Sequence, residues 1–129
     1  MDPKAIKNIL VAEDDPVAQV IIKNNLQQIE SMDVNVVIVD DGKEALSHCL
    51  SDDFDMIIVD LNLPSLKGTR LISCLRTSSG KNKSTPTMLI SAHTKDEIRQ
   101  IKGSALADTS MSKPLVAAEF KSEVAAFLS

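Results

Sequence analysis

The chain has 129 residues, of which 43% are hydrophobic and 25% charged, the size and make-up of one globular domain with its own core. Its net charge of −4 is spread over interspersed acids and bases, which leaves no basic face for nucleic acid and no polybasic patch for acidic lipid. No stretch approaches the roughly 20 apolar residues that cross a bilayer, and Met1-Asp2-Pro3-Lys4 lacks the apolar core of a secretory leader, so the expected setting is the cytoplasm without membrane contact.

Strand-like and helix-like patterns alternate five times. Residues 6–12 end in Ile9-Leu10-Val11-Ala12, an apolar run of the kind buried on both faces of a parallel sheet. Glu13, Asp14 and Asp15 follow. Asp15 is placed to cap the next helix, with Pro16 at its first position, where a missing N–H costs nothing. Ala18, Ile22, Leu26 and Ile29 then recur at helical spacing through residue 30. Residues 34–39 are β-branched and read as a second strand. Asp41 and Glu44 have the spacing of a capping box, opening a helix that turns Ala45, Leu46, Cys49 and Leu50 inward.

Residues 54–59 read as the third strand, with Asp60 at its end. Residues 66–77 read as a third helix with Leu71, Ile72 and Leu75 on its inner face and Gly68 near its start. The polar stretch 77–86 reads as a solvated connection. Residues 87–91 form the fourth strand. Thr94 and Glu97 make a second capping box on a short helix reaching about Gly103. Residues 107–111 read as a weak fifth strand, followed by Lys113-Pro114. Ala117, Phe120, Val124 and Phe127 mark a final amphipathic helix. Cys49 and Cys74 match no metal spacing and read as small buried or half-buried thiols.

Strands alternating with helices imply an α/β domain, a doubly wound five-stranded parallel sheet with helices on both faces. Periodicity does not fix the strand order. In such sheets, binding sites lie at the carboxyl ends of the strands. That is where Glu13, Asp14, Asp60, Ser91 and Lys113 fall. Each has an ordinary explanation alone: a turn-capping Asp, an acidic helix start, a surface lysine. Together they nominate one pocket of carboxylates facing one ammonium. Crowded carboxylates repel one another and hold protons, and a bound cation removes that penalty. Oxygen-only donors point to a hard ion such as Mg²⁺, and no His/Cys cluster offers softer ligands.

The ordered set is Glu13-Asp14, Asp60 within Asp-Leu-Asn-Leu-Pro, Gly68, Ser91-Ala92 and Lys113-Pro114. Over nearly the whole chain this set resembles the receiver domain of bacterial-type response regulators. The resemblance implies a flavodoxin-like fold, with residues 1–129 forming a single receiver domain of a two-component phosphorelay. Asp60 would be the nucleophile that takes a phosphoryl group from a phosphohistidine on a histidine kinase or histidine phosphotransfer protein. Mg²⁺ would be held by Asp14, Asp60, the backbone carbonyl of Asn62 and, through water, Glu13. Lys113 and Ser91 would bind phosphoryl oxygens, while Asn62 and His93 flank the site and would tune loss of the group to water. Such a domain modifies itself and is not a dedicated enzyme.

The chain departs from the family pattern at three places. Ser110 stands where an aromatic is usual, and the chain has no Tyr at all. Leu106 replaces a favoured Gly, so the fourth helix is expected to be short or irregular. Lys67 precedes Gly68 where an acid is common. Two other readings fit less well. One is a degenerate module that keeps the fold without phosphotransfer, against which Asp14, Asp60 and Lys113 argue. The other is a Mg²⁺-dependent aspartyl phosphatase or phosphotransferase, which needs an acid where Asn62 stands. A nucleotide site lacks its Gly-rich loop. The chain reads either as a stand-alone shuttle or as part of a longer regulator or hybrid kinase. The polar loop and the missing aromatic favour the hybrid kinase.

Overall fold

The alternation of apolar runs and capped amphipathic segments resolves into ten elements and a 3-10 turn. They are β1 (Ile6–Ala12), α1 (Pro16–Gln27), β2 (Asp33–Val39), α2 (Gly42–Ser51), β3 (Met56–Asp60), α3 (Gly68–Thr77), β4 (Thr87–Ser91), α4 (Lys95–Arg99), the turn Ser104–Leu106, β5 (Thr109–Ser112) and α5 (Ala117–Leu128). The computed structural model describes residues 4–129; residues 1–3, part of the segment read above as lacking a leader, lie outside the described residues. Among the described residues no helix is long and apolar enough to cross a membrane.

The strands pair in parallel in the order β2-β1-β3-β4-β5. The chain runs from β1 out to β2, then back past β1 to β3. The carboxyl ends of β1 and β3 therefore meet where the order reverses, which is where open α/β sheets bind ligands. Every residue of β3 and of β4 is buried. Alternation along the strands divides these runs between two cores. Leu10, Ile57, Val59 and Leu89 pack with Leu71, Ile72 and Leu75 on one face. Ile9, Val11, Ile58, Met88 and Ile90 pack with Ile22, Leu26, Phe120 and Val124 on the other.

Caps form much as the side chains dictate. Asp15 accepts from the N–H groups of Val17 and Ala18 at 3.3 Å each, with Pro16 opening α1. Thr94 and Glu97 complete a reciprocal capping box on α4. Asp41 accepts from the Lys43 and Glu44 amides at 2.8 and 3.0 Å, and the Glu44 side chain makes no return bond, so this is a single cap.

Several sequence expectations need correcting. Strand β3 begins at Met56, two residues late, because the N–H of Phe54 is taken by a side chain, not by the ladder. Helix α3 starts at Gly68 and not at residue 66. A Cβ at 68 would sit 2.5 Å from the Asp60 carbonyl oxygen, so only glycine lets the helix start this close to the strand end. Helix α1 stops at Gln27, although Ile29 beyond it is still buried. Leu50 is 53% exposed, since α2 turns Ala45 and Cys49 inward and leaves the next position outside. In α5 the buried stripe is Phe120, Val124 and Leu128, spaced by four, which puts Phe127 and Ala117 on the solvent side. Strand β5 is shifted by two residues at its start, to Thr109.

The largest correction concerns 77–86. Asn82 is only 1% exposed. Its amide donates to the carbonyls of Cys49 (2.5 Å) and Asp52 (2.7 Å), and its oxygen accepts from the Phe54 N–H (3.0 Å) and the Thr85 hydroxyl (2.9 Å). The loop thus ties the end of α2 to the entry of β3. As expected, α4 is short. It has five residues, and Gly103 with φ +88° reverses the chain before the 3-10 turn. Arg76 holds this irregular segment, donating to the Leu106 carbonyl, to Thr87 Oγ1 and to Asp108 Oδ2.

Asn82→Ala leaves the Phe54 N–H without its partner and removes both donors to the α2 end. It should lower unfolding free energy by about 2–4 kcal/mol in urea titration, whereas Ser84→Ala, exposed two residues on, should stay within about 0.5 kcal/mol.

Candidate functional site

Strand register sets the site. Ala12 pairs with Val59, so Glu13 emerges from β1 beside Asp60 at the end of β3. Asp60 in turn pairs with Ile90, one residue before Ser91, and Ser91 pairs with Ser112, one residue before Lys113. Three backbone bonds continue this order past the strand ends: Glu13 N–H to the Val39 carbonyl (2.9 Å), Leu61 N–H to Ile90 (2.9 Å) and Lys113 N–H to Ser91 (2.7 Å). The peptide bond between Lys113 and Pro114 is cis.

Lys113 Nζ donates to Asp60 Oδ2 at 2.7 Å and also to Glu13 Oε1. Asp60 Oδ1 accepts the N–H of Asn62 at 2.9 Å, and Glu13 Oε2 accepts the N–H of Asp14 at 3.0 Å. Glu13, Asp14 and Asp60 each bring one carboxylate oxygen within 4.8 Å of the others. Glu13 and Asp60 are buried and Asp14 is exposed, so the cluster opens to solvent on the Asp14 side.

Burial pushes the Glu13 carboxyl up, and the neighbouring Asp60 adds to the rise against the pull of Lys113, bringing it to about 7. Asp60 moves the other way. Burial would raise it, but hydrogen bonds from Glu13, Lys113 and the Asn62 N–H outweigh burial and hold it below the usual carboxylate range. Burial would likewise lower Lys113, and its two carboxylate partners outweigh that, so the ammonium is held up. Glu13 therefore holds its proton to higher pH than Asp60 does, and the negative charge falls first on Asp60. This oxygen-only donor set, with one exposed carboxylate and a proton that a cation could displace, fits a hard divalent ion such as Mg²⁺.

The structure brings together Glu13, Asp14, Asp60 and Lys113, with Asn62 joined through its backbone. Ser91 is placed differently. Ser91 is 1% exposed, and its hydroxyl is bonded to His93, at 2.6 Å to Nδ1 and 3.1 Å from the backbone N–H, not to Asp60 or Lys113. His93 is half-buried, and its carbonyl accepts the Ser112 hydroxyl at 2.7 Å. Ser112 escaped the sequence reading; its place beside Lys113 at a strand end is the signal that marks it.

Comparison with known proteins adds to this geometry. A family model described as the response regulator receiver domain matches residues 9–125. The chain is 31% identical over 118 residues to the chemotaxis protein CheY-3 of Vibrio cholerae serotype O1, covering 90% of this chain and 87% of that protein. It is 30% identical over 120 residues to the transcriptional regulatory protein PrrA of Mycobacterium leprae, covering 93% of this chain but 49% of PrrA, so it spans about half of that relative's length. Among solved structures, the receiver domain of the sensor histidine kinase PA1611 from Pseudomonas aeruginosa PAO1 matches with a TM-score of 0.84 at 25% identity, covering 96% of this chain and 98% of that one. That structure holds a magnesium ion coordinated in its active site cleft.

The raised carboxyl of Glu13 sets a pH dependence. The folded protein holds this proton more tightly than the unfolded chain, so stability from Glu13 is full below its ordinary 4.5 and is lost as pH rises through about 7. Mg²⁺ should displace the same proton. Its affinity should rise through about pH 7 with proton release seen by calorimetry, and Glu13→Gln should flatten both; a pH-independent affinity in the native protein would contradict the assignment.

Proposed function

The chain belongs to the response regulator receiver domain family, and from that premise we propose that Asp60 is its phosphoacceptor in a two-component phosphorelay. The carrying observation is the Lys113 ammonium seated on Asp60 beside two further carboxylates. A module that had lost phosphotransfer would have no need to hold four ionisable groups together with two of its carboxylates, Glu13 and Asp60, buried.

Asp60 supplies a carboxylate kept ionised by Lys113 and Glu13, which is the form that attacks phosphorus. Its oxygen forms the P–O bond as the P–N bond to a donor phosphohistidine breaks. The imidazole nitrogen keeps the bonding pair and takes up a proton. Lys113 sits beside the accepting oxygen, so its ammonium can turn to a phosphoryl oxygen without crossing the site. The Asn62 N–H fixes the other Asp60 oxygen and hence the direction in which the carboxylate faces. Mg²⁺, held by Asp14, Asp60, the Asn62 carbonyl and Glu13 through water, would neutralise charge on the transferred group. Ser91 is proposed as a second contact to the phosphoryl oxygens.

The partner on this reading is a histidine kinase or a histidine phosphotransfer protein in the cytoplasm. The chain is read as one receiver domain whose phosphorylation changes its interaction surface.

Incubation with a small acyl phosphate and Mg²⁺ should add one phosphoryl group by intact mass. Asp60→Asn and chelation of the metal should each abolish the addition, and Lys113→Ala should slow it roughly tenfold or more. An unchanged mass, or equal labelling of the Asn variant, would overturn the reading.

A further inference from the structure

We propose that His93 is a positioning residue that holds the Ser91 hydroxyl in the unphosphorylated protein, and that Ser112 couples its release to the segment carrying Lys113. The inference rests on Asp60 being the phosphoacceptor, and it deepens that reading by naming what keeps the site in its resting form.

The hydrogen-bond inventory of one hydroxyl carries the argument. Ser91 Oγ has a single proton and two lone pairs. One lone pair is occupied by the His93 N–H at 3.1 Å. On this proposal the Ser91 proton is assigned to His93 Nδ1, 2.6 Å away, with Nδ1 as acceptor and the ring proton on Nε2. The hydroxyl is buried, and its partners are both on His93. To serve a phosphoryl oxygen on Asp60, that proton has to leave Nδ1. The ring then loses its acceptor role and is free to turn.

The consequence travels through named bonds. The His93 carbonyl accepts the Ser112 hydroxyl at 2.7 Å. Ser112 lies opposite Ser91 in the ladder and directly precedes Lys113. The Lys113 N–H in turn donates to the Ser91 carbonyl at 2.7 Å. Residues 91–93 and 112–113 are therefore tied by two hydrogen bonds, and a shift of the β4 end is felt at the β5 end without any ring at position 110. Ser110 brings no aromatic group to this region, so the polar linkage stands where side-chain packing offers none.

One hydrogen bond of this kind weights the resting form by roughly threefold to tenfold. His93→Ala should therefore raise the steady phosphorylated fraction reached at sub-saturating acyl phosphate by that factor. His93→Asn, whose side-chain oxygen can take the place of Nδ1, should restore the native value. In a Ser91→Ala background, His93→Ala should have no further effect. The chain has two histidines, so nitrogen NMR of histidine-labelled protein reads the ring directly, with His48 as internal control. The unphosphorylated protein should show the Nε2–H tautomer with a bonded Nδ1, and phosphorylation should move the His93 Nδ1 signal alone.

If mass spectrometry shows phosphorylated Asp60 while the His93 nitrogens are unmoved, or if Ala and Asn at 93 behave alike, the positioning role is overturned and the phosphoacceptor reading stands. If the native chain takes no phosphoryl group, both fall.

Discussion

A lysine ammonium shared between two buried carboxylates is the constraint around which the upper edge of the sheet is organised. Glu13 and Asp60 leave water when β1 and β3 pack between helices, and burial of two neighbouring acids is costly. Lys113 offsets part of that cost by bonding to both. Burial raises the Glu13 carboxyl, which is the less exposed of the two, while the Asn62 N–H and Lys113 hold Asp60 down, so Glu13 keeps its proton to higher pH. The arrangement leaves charge on the residue proposed to do chemistry and neutralises the one beside it. On the proposed function, phosphate and metal would meet a site whose electrostatics are already polarised.

The sequence made the sheet and the site legible for the same reason. Strands covered on both faces must be continuously apolar, so an acid at the end of such a run stands out, as Asp60 does after Ile57-Ile58-Val59. Capping residues were equally readable, because Asp15 and Thr94 act on amides two or three positions away. What escaped were features whose partners lie far along the chain. Nothing around Asn82 announces that two carbonyls at 49 and 52 will meet its amide, so the polar loop passed for a solvated one. Periodicity points Leu50 and Phe127 inward because it gives a face but not its edge. Ser91 stands at the end of β4, and its bond to His93 escapes the sequence because it depends on how the following turn bends.

The half of the sheet that ends in β5 is built differently from the rest. Helix α4 has five residues, Gly103 reverses the chain, and a 3-10 turn leads into a strand of four residues, three of which carry hydroxyls and only one of which, Met111, is buried. Packing here is sparse, and polar ties replace it: Arg76 to Asp108 and Thr87 on one side, Ser112 to His93 on the other. Hydrogen bonds are directional and can be exchanged for others at little net cost, whereas a packed ring has to be moved bodily. A surface held in this way suits a segment that has to adopt two arrangements.

The ion pair between Lys113 and Glu13 joins residues 100 positions apart, and that to Asp60 spans 53. Synthesised from its N-terminus, the chain places both acids on the inner strands long before their counter-charge exists. Until the last strand docks, the carboxylates at the ends of β1 and β3 lack their ammonium, and Asp60 lacks the cation that keeps it ionised. On the proposed function, readiness to receive a signal is tied to completion of the fold, and a truncated or half-assembled molecule would stay mute.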